Sequence, residues 1–193
     1  MARPLLSFLR DDRGQDPEEL VPTPQSMPIA SANAARVGAD SILAVRNAFE
    51  AQLRCGGLAA ALAMLNERTR FRFTGLYRVA PPQLLNIALY DRENPTLSIA
   101  GAVCALTDTY CSIVYERGRA FRVSDAPAEV RLYAHPARDS VQSYAGVPVR
   151  LPGGNVLGTL CHFDGRPRIM PASELSVLRE VAPFLVSWLR ADD

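Results

Sequence analysis

At 193 residues the chain is long enough for one domain with a full hydrophobic core and short for two. Its 48% apolar and 21% charged residues are those of a soluble globular protein and exclude a disordered one. The 21 basic and 20 acidic residues nearly cancel, to +1, which argues against a dedicated nucleic-acid binder. All the basic residues are arginine, which excludes lysine Schiff-base chemistry and a phosphate-loop lysine.

Residues 1–31 mix charges with Pro4, Pro17, Pro22, Pro24 and Pro28 and show no sustained apolar period, so they read as a flexible leader. Ile42, Val45, Phe49 and Leu53 then recur at helical spacing, with Ser31 or Asn33 as the N-cap and Gly56 and Gly57 as the stop. Leu58, Ala61, Leu62 and Leu65 repeat the pattern in a second helix that ends near Asn66. The period next changes to 2: Phe71, Phe73, Gly75, Tyr77 and Val79 share one face of a strand, and Arg70, Arg72 and Arg78 share the other as a basic stripe. Pro81 and Pro82 turn the chain into an antiparallel partner over residues 84–91. A loop leads to a short helix carrying Cys111, Val114 and Tyr115, capped by Thr107 or Asp108 and stopped at Gly118. A short strand over 120–123 and a loop over 124–140 precede a second hairpin, 143–149 with 156–164, joined through Pro152, Gly153, Gly154 and Asn155. Leu175, Leu178, Ala182, Leu185 and Leu189 mark a terminal helix, with Ser173 as its N-cap and a kink at Pro183.

Cys55, Cys104, Cys111 and Cys161 are too scattered for a CxxC motif, and neither histidine stands at a zinc-finger interval from them, so a reduced, cytoplasmic chain without a metal is expected. The longest wholly apolar run, 58–65, is too short to span a bilayer, so no membrane partner is expected. Cys161 and His162 are adjacent on a strand, point to opposite faces, and cannot ligate one metal together.

Four ordered strings carry a resemblance beyond pattern: Thr107-Asp108-Thr109-Tyr110-Cys111, Val123-Ser124-Asp125-Ala126, Ser143-Tyr144-Ala145-Gly146-Val147-Pro148-Val149, and Gly158-Thr159-Leu160-Cys161-His162-Phe163-Asp164. In this order and spacing, over roughly residues 58–189, the chain resembles a GAF domain. The resemblance implies an α+β sandwich: a central antiparallel sheet of five or six strands, helices packed on one face, and a ligand pocket on the other. The domain organisation is then a leader over 1–31, an N-terminal helix over 32–56 and a GAF-like domain over 57–193. Relatives bind cyclic nucleotides, tetrapyrroles, haem or small metabolites, so the fold leaves the ligand and any cofactor open.

The resemblance places Tyr110 and Cys111 in the roof of that pocket. Cys111 there is either a redox thiol or chromophore anchor, activated near a helix N-terminus, or a buried packing residue. His135 is the better of the two histidines for a haem ligand or a contact at the pocket mouth, or else a local hydrogen-bonding residue of its loop. Asp125 and Tyr144, at strand ends, stand where they reach a ligand, although Asp125 also suits bracing of its loop. The ligand-binding set expected is therefore Tyr110, Cys111, Asp125, His135 and Tyr144, in a non-catalytic sensory module. Its partners are a small molecule and a second copy of the chain, docked through the stripes of the first and last helices. The alternatives are a thiol-dependent reductase of the free methionine sulfoxide type, using Cys104, Cys111 or Cys161, and a tetrapyrrole-binding sensor.

Overall fold

The computed structural model describes residues 34–190, with side chains from Ile42 onward. The expected leader and the caps at Ser31 and Asn33 lie outside the described residues. The elements run α1 (Ala34–Cys55), α2 (Gly57–Glu67), β1 (Phe73–Ala80), β2 (Gln83–Asp91), β3 (Val103–Ala105), α3 (Cys111–Arg117), β4 (Phe121–Val123), β5 (Ser143–Arg150), β6 (Val156–Asp164), α4 (Ala172–Val181) and α5 (Val186–Leu189). The strands form one antiparallel sheet of six in the order β3-β2-β1-β6-β5-β4. Both hairpins expected from sequence are present, and the outer strand β3, paired with Gln83, Leu84 and Leu85 of β2, is an addition. With three residues it is too short to show a period.

Each face of the sheet has its own core, which explains why β1, β5 and β6 are buried on both sides. On one face Phe49, Leu62, Leu65, Leu178, Leu185 and Leu189 from the helices pack on Leu76, Val147 and Leu160 of the strands. On the other, Leu106, Tyr110, Val114, Leu132 and Val141 pack on Phe73, Tyr77, Tyr144 and Phe163. The apolar stripes of α1 and of the terminal helix are thus used inside the protomer: Phe49, Leu178 and Leu185 are fully buried. Of the large apolar residues there, Leu43 and Trp188 stay exposed.

Several local expectations are corrected. Phe71 and Phe73 do not share a face, because the chain bends before β1 and puts Phe71 in the helix-side core and Phe73 in the other. Neither Thr107 nor Asp108 caps α3. They belong to a 3-10 turn at Leu106–Asp108, and α3 starts behind Tyr110 without a side-chain cap, although it does end at Gly118 in the left-handed conformation, φ +56°. Ser173 lies inside α4, which begins behind Pro171. Pro183 does more than kink the terminal helix: residues Ala182–Leu185 form a 3-10 stretch that separates α4 from α5. Of the basic stripe, Arg72 is neutralised, bound through Nε and Nη2 to the Asp91 carboxylate, both at 2.9 Å, and to Glu93 through Nη1, whereas Arg70 stays exposed and Arg78 half-buried with no ion pair among the described residues.

A buried polar network fastens α2 to the sheet. The Asn66 amide donates to the Phe71 carbonyl at 3.0 Å and to Thr74 Oγ1 at 2.8 Å, and Thr74 Oγ1 lies 2.7 Å from His162 Nδ1. Arg92 closes it by donating to Asn66 Oδ1 at 3.1 Å and to the Asn66 and Thr69 carbonyls. Burial, with a smaller contribution from the Arg92 charge, pushes His162 down to about 3 from its ordinary 6.5, so the ring is neutral and shares one hydrogen bond with Thr74 Oγ1 through Nδ1. The unfolded chain takes up a proton near 6.5 that the folded chain refuses until about 3, so folding stability must fall as pH drops through that window. Urea unfolding at a series of pH values below 6.5 should show a shallower pH slope for His162→Gln than for the parent chain. Parallel slopes would contradict the assignment.

Candidate functional site

The site is built on three rows of register-paired residues that cross the sheet on the face away from α1 and α2. The first row is Phe73, Phe163, Tyr144 and Val123; the second is Gly75, Cys161, Gly146 and Phe121; the third is Tyr77, Thr159 and Pro148. Period-2 alternation puts Thr159, Cys161 and Phe163 on this face and His162 on the other. The two glycines flank Cys161 and carry the rings of their neighbours. A Cβ on Gly75 would stand 2.5 Å from Tyr77 Cε2, and one on Gly146 2.6 Å from Tyr144 Cζ. Tyr77 and Tyr144 therefore lie along the sheet over positions that have no side chain.

Tyr110 and Cys111, at the start of α3, and Val141 roof the floor so formed and leave a cavity of about 30 Å³. That is room for a water-sized body, against roughly 300–1,000 Å³ for pockets that hold drug-sized ligands. The walls are almost wholly apolar, with Leu84 and Phe163 among them. The segment leading to β5 is drawn over the site by the Ala126 N–H, which donates to the Gln142 carbonyl at 2.7 Å, and by the burial of Leu132, Ala137 and Val141.

The chemistry is concentrated at two thiols. Thr159 Oγ1 donates to Cys111 Sγ at 3.1 Å, and the Tyr144 hydroxyl lies 3.5 Å from the same sulfur. Cys161 lines the cavity beside Cys111, its Sγ 3.8 Å from the Gly75 carbonyl oxygen. Hydrogen bonding by Cys161, and then by Thr159 and Tyr144, outweighs burial and lowers Cys111 from 9.0 to about 7. Burial and its proximity to Cys111 drive Cys161 well above the ordinary thiol value. The groups that lower Cys111 are thus side chains of β5 and β6, whereas the sequence pointed to the N–H groups of its own helix. Cys104 stands off on β3, its thiol raised to about 11 mainly by burial, and Cys55 is exposed.

Of the five residues expected from sequence, Tyr110, Cys111 and Tyr144 meet at the cavity. His135 stands behind it, its ring centroid 4.5 Å from that of Tyr110 and its Nδ1 accepting from the Ala137 N–H at 3.2 Å. Asp125 is not brought to the cavity. It is exposed on the rim of an outer groove and accepts from the Ala128 N–H at 3.3 Å, which is the loop-bracing role. Thr159 and Tyr77 were missed, although the alternation along β1 and β6 marks both as facing the same side as Cys161. Burial leaves the Tyr110 hydroxyl without a hydrogen-bond partner, and the Tyr77 hydroxyl and Asn86 Oδ1, on register-paired residues, likewise. Among the described residues no group of three or more His, Cys, Asp or Glu side chains is placed to hold a metal ion, and no helix is long and apolar enough to cross a membrane.

Solved structures share this architecture. The GAF domain of an Acinetobacter phosphoenolpyruvate-protein phosphotransferase matches with a TM-score of 0.58 at 15% identity, over 77% of this chain and 92% of that one. A free methionine-R-sulfoxide reductase from Neisseria meningitidis, solved with its substrate, matches with a TM-score of 0.58 at 17% identity, over 85% and 95%. The chromophore-binding domain of a Stigmatella aurantiaca bacteriophytochrome gives a TM-score of 0.60 at 12% identity, over 84% of this chain and 64% of that one. At such identities these likenesses concern the fold alone. No curated protein sequence is matched by this chain. The model of the GAF domain family does match, over residues 44–186, which takes in the second half of α1, the whole sheet and most of the helix-side core, and the chain therefore belongs to the GAF domain family.

Proposed function

We propose that the chain is a sensory module that binds a small, largely apolar molecule bearing a hydrogen-bond acceptor, in the cavity above Gly75, Cys161 and Gly146. The observation that carries this reading is the unpartnered Tyr110 hydroxyl, on a residue only 2% exposed at the wall of an apolar cavity. A buried hydroxyl without a partner costs about 1–3 kcal/mol, a cost that a ligand accepting its proton removes. Tyr110, Cys111 and Tyr144 are the contacts, Tyr77 adds a second hydroxyl, and the tilted His135 ring packs against that of Tyr110. The cavity volume supports a ligand of a few atoms and speaks against a tetrapyrrole. The four free thiols support a reducing, cytoplasmic setting.

In the ligand-free protein Tyr110→Phe should leave stability unchanged or raise it by up to about 1 kcal/mol, because it removes an unpaired hydroxyl. Native mass spectrometry of the full chain should meanwhile show less of any co-purifying small molecule in the variant than in the parent. A loss of more than about 1 kcal/mol would mean that the hydroxyl already has an internal partner, and the reading would lose its main support.

The thiol pair favours a second reading, a thiol-dependent redox activity. The Cys111 thiolate would attack the sulfur of a sulfoxide, which takes up a proton and leaves as the thioether, with Cys111 becoming a sulfenic acid. The Cys161 thiol would then displace water and form a disulfide, to be reset by an external dithiol. Ultraviolet thiolate absorbance, taken as parent minus Cys111→Ser, should titrate with a midpoint near 7. Stability should rise between about pH 7 and 9, since Cys111 is ionised there in the folded chain and protonated in the unfolded one, while Cys161 keeps its proton. A midpoint near 9 would remove this reading.

Signal output through a second copy would use the apolar residues that the protomer leaves outside on α1 and α5, Leu43 and Trp188. Light scattering should then give a dimer for the parent chain and a monomer for Leu43→Glu. A parent that stays monomeric at high concentration would dismiss the dimer.

A further inference from the structure

We propose a second ligand site, distinct from the cavity: a groove on the helix side of the sheet edge that binds a phosphoryl group, or another doubly charged oxyanion, carried by a small molecule. β4 begins at Phe121, which pairs with Gly146, so the edge of β5 beyond that point has no strand beside it in the register. The groove of about 360 Å³ opens there, between Arg119 and Ala120, the end of β5 and the 3-10 stretch at Ala182–Leu185. Three arginines line it, Arg119 from the turn before β4, Arg150 from β5 and Arg179 from α4, and no acidic residue does.

Its charge is not balanced from within. Among the described residues none of these three guanidinium groups makes an ion pair. The next groove along the same edge offers a contrast, for there Arg122 shares its walls with Asp125 and Glu129. Like charges gathered in one concave site repel one another, and a dianion relieves that repulsion.

Arg150 is also set in place before any ligand arrives. Its Nη1 donates to the Gly154 carbonyl at 2.7 Å, and its Nη2 lies 2.8 Å from where a Cβ on Gly118 would stand, so it rests against a residue that has none. Planar guanidinium forks match the oxygens of a phosphoryl group in pairs, a geometry that lysine does not offer. Pro148 and Pro183 line the same groove, and neither has an N–H group to leave unpaired against an apolar body. The ligand class that follows is a small phosphorylated molecule.

The test uses the full chain and inorganic pyrophosphate as the probe, followed by the side-chain N–H resonances of the arginines at constant ionic strength. Pyrophosphate should shift the signals of Arg119, Arg150 and Arg179, and Arg119→Gln or Arg179→Gln should each weaken binding by about tenfold or more. Both positions are exposed, so the variants should unfold at the parent's temperature. Arg122→Gln, in the balanced neighbouring groove, should bind as the parent does, and Cys111→Ser should too. Equal shifts with sodium chloride at matched ionic strength would overturn the proposal, as would variants at 119 and 179 that bind like the parent.

Discussion

Two tyrosine rings that lie flat on a sheet need two positions beneath them with no side chain. Gly75 and Gly146 supply those positions on either side of Cys161, and the rest of the site follows from that row. The Tyr144 ring, laid over Gly146, carries its hydroxyl to Cys111. Cys161, between two residues without side chains, is left open to the sulfur above it. Thr159, one row along, reaches the same sulfur from the strand itself. An alanine at either glycine would lift a ring into the roof, and in an interior packed at crystal density the roof has no slack to take it.

The hairpins, the helices and the GAF resemblance were legible because they rest on periodicity and on ordered strings of residues. Phe49 and Leu62 announce their helices, and Thr159 and Cys161 alternate with Leu160 and His162 as a strand requires. What could not be read is what depends on the third dimension. The shared face of Phe71 and Phe73 failed because the chain bends just before β1, and alternation holds only where the chain is extended. Of the two roles open to Asp125 from its place after a strand, the structure displays the bracing one, its carboxylate accepting from a local N–H group, an ordinary fate for aspartate in a loop. For Cys111 the sequence offered the N–H groups of its own helix, whereas the side chains that chiefly lower it come from strands more than thirty residues away.

Charge follows the same division between local and global. The near-zero total conceals a chain in which some arginines are spent on structure. Arg72 grips Asp91 and Glu93, and Arg92 serves the carbonyls around Asn66. Buried ion pairs and networks of this kind fix one arrangement of the elements more than they add to stability. Arg119, Arg150 and Arg179 have no such ion pairs, and they meet at the far edge of the sheet.

The unlike surroundings of Cys111 and Cys161 have a consequence for selectivity. Because one sulfur ionises near neutral pH and the other does not, the charge of the cavity is set by the medium: neutral on the acid side of about 7 and singly negative on the alkaline side. In a space this small and this apolar, a lone negative charge is poorly screened. Above that pH the cavity would turn anions away and admit neutral or cationic guests, so its preference among ligands is a property of the compartment as much as of the walls.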